Sequence, residues 1–169
     1  RQHPVGPGLD HAAQAVLALR RVEGGAVDGG EGEIAQSGAV AAADRQSAMS
    51  TFSGFGPTRD GRLKPDITAL GVDVRSVSPS GPLIASGTSM SAPAISGMLA
   101  LLVERFRVRQ NEPKPKAALL KAILLNSARD AGNPGPDYVF GYGIPNAPAA
   151  IQAVDDRRYV LNKASAGEV

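Results

Sequence analysis

The sequence of this 169-residue chain predicts an α/β fold, and three observations carry the prediction. Short extended runs punctuated by Gly and Pro occupy the stretch from Phe52 to Gly87. Beyond Pro93 the period changes: Ile95, Met98, Leu99, Leu102, Val103 and Phe106 recur at steps of three and four, the stripe of a helix buried on one side. Apolar residues make up 43% of the chain and charged residues 20%, enough to build one core, and the length sets the expectation of one domain.

Residues 1–50 are the least decided part. Asp10 is placed to cap a helix from His11 to Arg21, where Ala and Leu dominate, while Val16-Leu17-Ala18-Leu19 is short enough to be a buried strand. Gly24 to Gly38 is Gly-rich and acidic and reads as an exposed loop. Phe52-Ser53-Gly54-Phe55-Gly56-Pro57 ends in a turn, Asp60-Gly61 makes another, and Pro65 forces Lys64 into extended backbone. Val72, Val74 and Ser76 alternate with Asp73 and Arg75 as in a half-buried strand, which Pro79, Gly81 and Pro82 close. Leu83-Ile84-Ala85 is a second apolar run, leading into Ser86-Gly87-Thr88-Ser89-Met90-Ser91-Ala92-Pro93 and the long helix. A second helix begins after Pro115, with Leu119, Leu120, Ile123 and Leu124 on one face, and ends near Ala128. Gly132 to Pro136 is a loop, Gly141-Tyr142-Gly143 a tight passage, Ala147 to Val154 a short final helix, and the residues from Asp155 on a frayed tail.

Composition excludes several classes. With 18 Lys and Arg against 16 Asp and Glu, the net charge of +2 is too small to imply a nucleic-acid partner. The absence of Cys removes disulfides, thiolate metal sites and a cysteine nucleophile. No run reaches the roughly 18 apolar residues of a membrane span, and the chain opens on Arg1 with no basic-then-apolar leader.

A strand, then Gly87-Thr88-Ser89, then a long helix places Ser89 at a helix N-terminus, where unpaired N–H groups and the positive end of the dipole converge. Acyl transfer needs such an arrangement: a hydroxyl on a sharp turn with a backbone N–H beside it for the oxyanion. Gly87 lets substrate approach the backbone closely, and small Ser91 and Ala92 leave the first turn open. From these residues alone, a plain polar helix cap is the alternative.

Ser86 to Pro93 closely resembles the nucleophile motif of subtilisin-like serine peptidases, the subtilases. Phe52 to Pro57 resembles that family's Phe-Ser-x-x-Gly-Pro turn, and Leu63-Lys64-Pro65-Asp66-Ile67 its Lys-Pro-Asp-Ile segment. Leu124-Leu125-Asn126-Ser127-Ala128 and Gly141 to Ala147 resemble its two C-terminal signatures, so the likeness covers about residues 50 to 154 in the family's order. Ala69-Leu70-Gly71 stands where Ala-Pro-Gly is usual and Ala94 where a His commonly follows the Pro; residues 11–27 fit the family's preceding strand poorly. The resemblance implies a partial three-layer αβα sandwich with a mostly parallel sheet, an incomplete catalytic domain over 1–154 and a tail over 155–169. It implies peptide-bond hydrolysis through an acyl-enzyme on Ser89, with Ser86, Gly87, Thr88 and Ser89 holding substrate and oxyanion. No cofactor is implied, and metal sites are left open. The partner implied is a peptide or protein, and the family points toward secretion.

The family takes its catalytic Asp and His, and the Asn of its oxyanion hole, from segments before the Ser. None is found: there is no Asp-Thr-Gly or His-Gly-Thr, the histidines are His3 and His11, and the first Asn is Asn111. The expectation is therefore a C-terminal piece of a catalytic domain, nearly inert alone, whose Asp, His and Asn come from an N-terminal part. A non-enzymatic remnant with a binding or structural role is the competing expectation. The Lys-Pro-Asp-Ile segment weighs against a sedolisin-type serine-carboxyl peptidase. Arg105, Arg107 and Arg109 are expected at a solvated helix end, Met90 and Met98 as packing residues, and Tyr138 and Tyr142 as buried aromatics. Asp66 is expected to fix a turn or cap a strand, and Asn126 to tie down a helix end.

Overall fold

A computed structural model describes residues 40–110 and 115–160. The expectations for residues 1–39 and 161–169 lie outside the described residues. The order of elements is β1 (Val40–Ala43), β2 (Ile67–Leu70), β3 (Val74–Ser78), β4 (Gly81–Ala85), α1 (Thr88–Gln110), α2 (Ala117–Asn126) and α3 (Ala147–Asp155).

β1 and β2 pair in parallel, with Val40 opposite Ile67 and Ala43 opposite Leu70. The sequence left β1 unassigned, because Ala41, Ala42 and Ala43 are all buried and leave no polar–apolar alternation to read. Serines occupy part of its other edge: the Ala42 N–H donates to Ser53 Oγ at 2.9 Å and the Ser50 N–H to the Ala42 carbonyl at 3.0 Å. β2 is held on its far side by the Gly141-Tyr142-Gly143 passage, where the Tyr142 N–H reaches the Asp66 carbonyl and the Thr68 N–H the Gly143 carbonyl, each at 3.0 Å. Gly141 has φ +65, and a Cβ there would press on the backbone of Pro65 and Asp66.

α1 lies on both strands, and α2 and α3 pack on α1 and on each other. One core joins Ile67 and Ala69 of β2 to Ile95, Leu99, Leu102 and Phe106 of α1, Leu120, Ile123 and Leu124 of α2, and Ala150 and Val154 of α3. The buried faces of α1 and α2 are those the periodicity predicts. Asn146 caps α3 by accepting the Ala149 N–H at 3.2 Å. The parallel pair and its helices are the part of an α/β sandwich that the described residues contain.

Four expectations need correction. The expected half-buried strand at Val72–Ser76 is instead β3 at Val74–Ser78, paired antiparallel with β4 through the Pro79–Ser80 turn, and the ribbon is exposed, with Leu83 48% and Ile84 65% accessible. Its alternation reflects ribbon pleating rather than a buried face, because among the described residues each strand pairs only with the other. Tyr138 and Tyr142 are exposed, not buried. The chain from Asp155 to Tyr159 is fixed rather than frayed: Asp155 accepts from Arg105 Nε and Nη2, both at 2.6 Å, and Tyr159 stacks tilted on Phe106 with ring centroids 5.5 Å apart. Arg105 thus ties α1 to α3 instead of ending α1 in solvent.

Candidate active site

The turn before α1 is built from the residues that follow β2. The Gly87 N–H donates to the Gly71 carbonyl at 2.7 Å, and the Asp73 N–H to Ser86 Oγ at 2.9 Å. The Ser86 hydroxyl turns its proton toward Asp73 Oδ1 at 3.3 Å. Asp73 adopts φ +50, a conformation that Asp tolerates and that points its N–H at Ser86. Gly71 is obligatory at this crossing, because a Cβ would collide with Ser91 Oγ, lie 2.5 Å from Ala42 Cβ and lie 2.8 Å from the Gly87 carbonyl.

Ser91 fastens the first turn of α1 from below. It is fully buried, and its hydroxyl donates to the Ala69 carbonyl of β2 at 3.2 Å. Three residues of the site were thus missed by the sequence reading: Gly71, read as a strand boundary, Asp73, read as an alternating polar position, and Ser91, read only as small. A Gly directly after a strand, followed two residues later by Asp, was the available signal.

Ser86, Thr88 and Ser89 are exposed and Gly87 is half-buried, so the four predicted site residues form one continuous surface strip. Ser89 is the second residue of α1, where a backbone N–H has no i−4 acceptor within the helix. Pro93 lies inside α1 and cannot donate to the Ser89 carbonyl four residues back, which leaves the first turn loosely bonded around Ser89. Ser89 Oγ has no hydrogen-bond partner among the described residues. A capping serine would turn its oxygen onto an N–H of the first turn; this one stands free in solvent.

Asp66 and Asp137 are committed to other parts of the fold. Asp66 accepts from Lys64 at 2.7 Å and from Lys121 at 2.9 Å, joining the turn before β2 to α2. Asp137 organises the 133–141 loop by accepting from the backbone N–H groups of Asn133, Val139 and Phe140. Burial pushes its carboxyl up, but those three donors together hold it below the usual carboxylate range. A separate groove of about 860 Å³ runs between α2 and α3, walled by Lys121, Leu125, Tyr142 and Tyr159, and Tyr142 is there as a rim residue. No helix among the described residues is long and apolar enough to cross a membrane.

These elements form an α/β fold with an exposed serine where a Gly turn enters the long helix. Comparison with known proteins makes the class specific: the subtilase family matches residues 26–143, and the chain belongs to that family. Bacillopeptidase F of Bacillus subtilis is 32% identical over 142 residues, 77% of this chain and 10% of the relative. The C5a peptidase of Streptococcus pyogenes is 40% identical over 83 residues, 47% of this chain and 7% of the relative. Among solved structures, the CspB protease of Clostridium perfringens superposes with a TM-score of 0.63 at 32% identity, over 70% of this chain and 27% of that one. The patellamide maturation protease PatA does so at 0.57 and 29%, over 69% and 42%. This chain therefore spans about a tenth or less of those two curated relatives and well under half of the solved ones.

Proposed function

We propose that this chain is the nucleophile-bearing part of a serine peptidase that cleaves peptide bonds through an acyl-enzyme on Ser89. The observation that carries the reading is the unpartnered, exposed Ser89 hydroxyl at the start of α1, held by the Gly71–Gly87 and Asp73–Ser86 bonds behind it. In this reading Ser89 Oγ attacks the scissile carbonyl while a base takes its proton. The resulting oxyanion lies against the Ser89 N–H and the positive end of α1. Collapse expels the amine, which recovers the proton, and water then releases the acyl group by the reverse course. Ser86, Gly87 and Thr88 form the floor on which the substrate backbone rests.

The base, the acid that orients it and a second oxyanion donor come from polypeptide of the same family that is N-terminal to the nucleophile. The described residues contain no histidine, and the first Asn of the chain follows Ser89. The relatives' greater length supports this division of the site. A serine without a base is a poor nucleophile near neutral pH, so the chain alone is inert. The incomplete catalytic domain extends to residue 154 in this reading, with Asp155 and Tyr159 held against it.

The test mixes the chain with the portion of the clostridial protease's catalytic domain that lies N-terminal to the matched segment. Hydrolysis of a labelled casein by the mixture, with none by either part and none with Ser89→Ala, is the expected result. Hydrolysis that survives Ser89→Ala overturns the assignment.

A further inference from the structure

Asp73 is strained without a local reason. Among the described residues, Ser47, Asp73 and Arg157 are the non-glycines with φ in the left-handed region. Ser47 lies in a turn that its own N–H closes on the Asp44 carbonyl at 3.1 Å. Arg157 directly follows the C-cap of α3, where a left-handed residue commonly stops a helix. Asp73, at φ +50, lies between β2 and β3 and ends no helix; its N–H is sent to Ser86 Oγ, 13 residues on. Strain held in this way marks a conformation that the surroundings impose for a use.

Ser86 meets Asp73 twice: its oxygen accepts the Asp73 N–H at 2.9 Å, and its hydroxyl donates to Asp73 Oδ1 at 3.3 Å. A carboxylate can only accept, so it commits the Ser86 proton to Asp73 and leaves substrate the Ser86 backbone alone. Both residues are exposed, and a bond that water can replace adds little to folding. What the pair supplies is position. Ser86 precedes Gly87, whose N–H is fastened to the Gly71 carbonyl and whose own carbonyl accepts the Met90 N–H at 3.0 Å. Ser89 lies between those two fastened residues, and its Oγ has no partner of its own to fix it among the described residues. We propose that Asp73 is a positioning residue for Ser89, acting through the Ser86 hydroxyl: the double contact stops Ser86 from turning, so that Gly87 and Thr88 present the Ser89 Oγ and N–H to one scissile carbonyl. This role rests on the peptidase reading for its chemistry and on the two bonds for its geometry.

The test compares Asp73→Gly, Asp73→Asn, Ser86→Ala and the double variant Asp73→Gly with Ser86→Ala against wild type. Glycine takes a positive φ without strain, and asparagine tolerates it while keeping an acceptor oxygen, so the two separate backbone shape from the contact to Ser86. Fluorophosphonate labelling of Ser89 is timed in the full chain mixed with the N-terminal portion of the clostridial catalytic domain, and amide exchange of Gly87 and Leu99 is followed in the full chain alone. Labelling is expected to slow about tenfold in Asp73→Gly and in Ser86→Ala, to slow no further in the double variant, and to stay within about twofold of wild type in Asp73→Asn, since small displacements of a reacting atom cost rate steeply and residues acting as a unit are not additive. Exchange at Gly87 quickens in the slowed variants while Leu99, in the core, is unchanged. Wild-type labelling in Asp73→Gly overturns the proposal, because backbone shape alone then accounts for the residue. Additive slowing in the double variant, or Gly87 exchange that does not respond, overturns it as well. The two readings fail distinguishably: labelling absent from every mixture, wild type included, sinks the peptidase reading and this role with it, whereas labelling that is present and indifferent to Asp73 sinks this role alone.

Discussion

Gly71 is the residue on which the site's geometry turns. It lies where β1, the Gly87 turn and buried Ser91 converge, and its hydrogen atom occupies the space any side chain would need. Gly71→Ala forces those groups apart, and overpacking of this kind costs about 1–3 kcal/mol. Urea unfolding should show that loss, and an unchanged midpoint would contradict the packing described. Asp137 supports a pH prediction. Its carboxyl in the folded chain titrates below the ordinary value of about 3.9, so its contribution is complete above that value and is lost as pH falls through the depressed folded pKa. Asp137→Asn should flatten the acid limb of a stability-versus-pH curve, and an acid limb as steep as wild type would remove Asp137 from that role.

At the scale of elements, α1 has two faces of different standing. Gly97 is on the open one, in the middle of a helix and with free space around it. Gly97→Ala should raise the stability of the chain by roughly 0.5–1 kcal/mol, since it removes backbone freedom without a clash. A destabilised variant would mean that something already fills that space. The elements differed in how far the sequence announced them. α1, α2 and α3 were legible because each buries one side and displays the other in period. β1 was not, because a strand of three buried alanines carries the residue preference of a helix and no alternation. The β3–β4 ribbon was misread as half-buried, since period two is written into any pleated strand whether or not a core lies beneath it. The strand–turn–helix junction at Ser86 to Ser89 was legible, yet its supports, Asp73 and Ser91, act through bonds to residues 13 and 22 positions distant that no local pattern encodes.

For the whole molecule, the described residues hold the proposed nucleophile, its turn and the helix that bears them, and they contain no histidine. Family membership and the free Ser89 hydroxyl support the proposal made above, in which the chain is one part of a divided catalytic centre. Its most direct test is a fluorophosphonate probe followed by peptide mapping. The account predicts no adduct on the chain alone and a single adduct on Ser89 once the N-terminal portion of a subtilase catalytic domain is added. Stoichiometric adduct on the isolated chain, or an adduct on any other residue of this chain in the mixture, would contradict it.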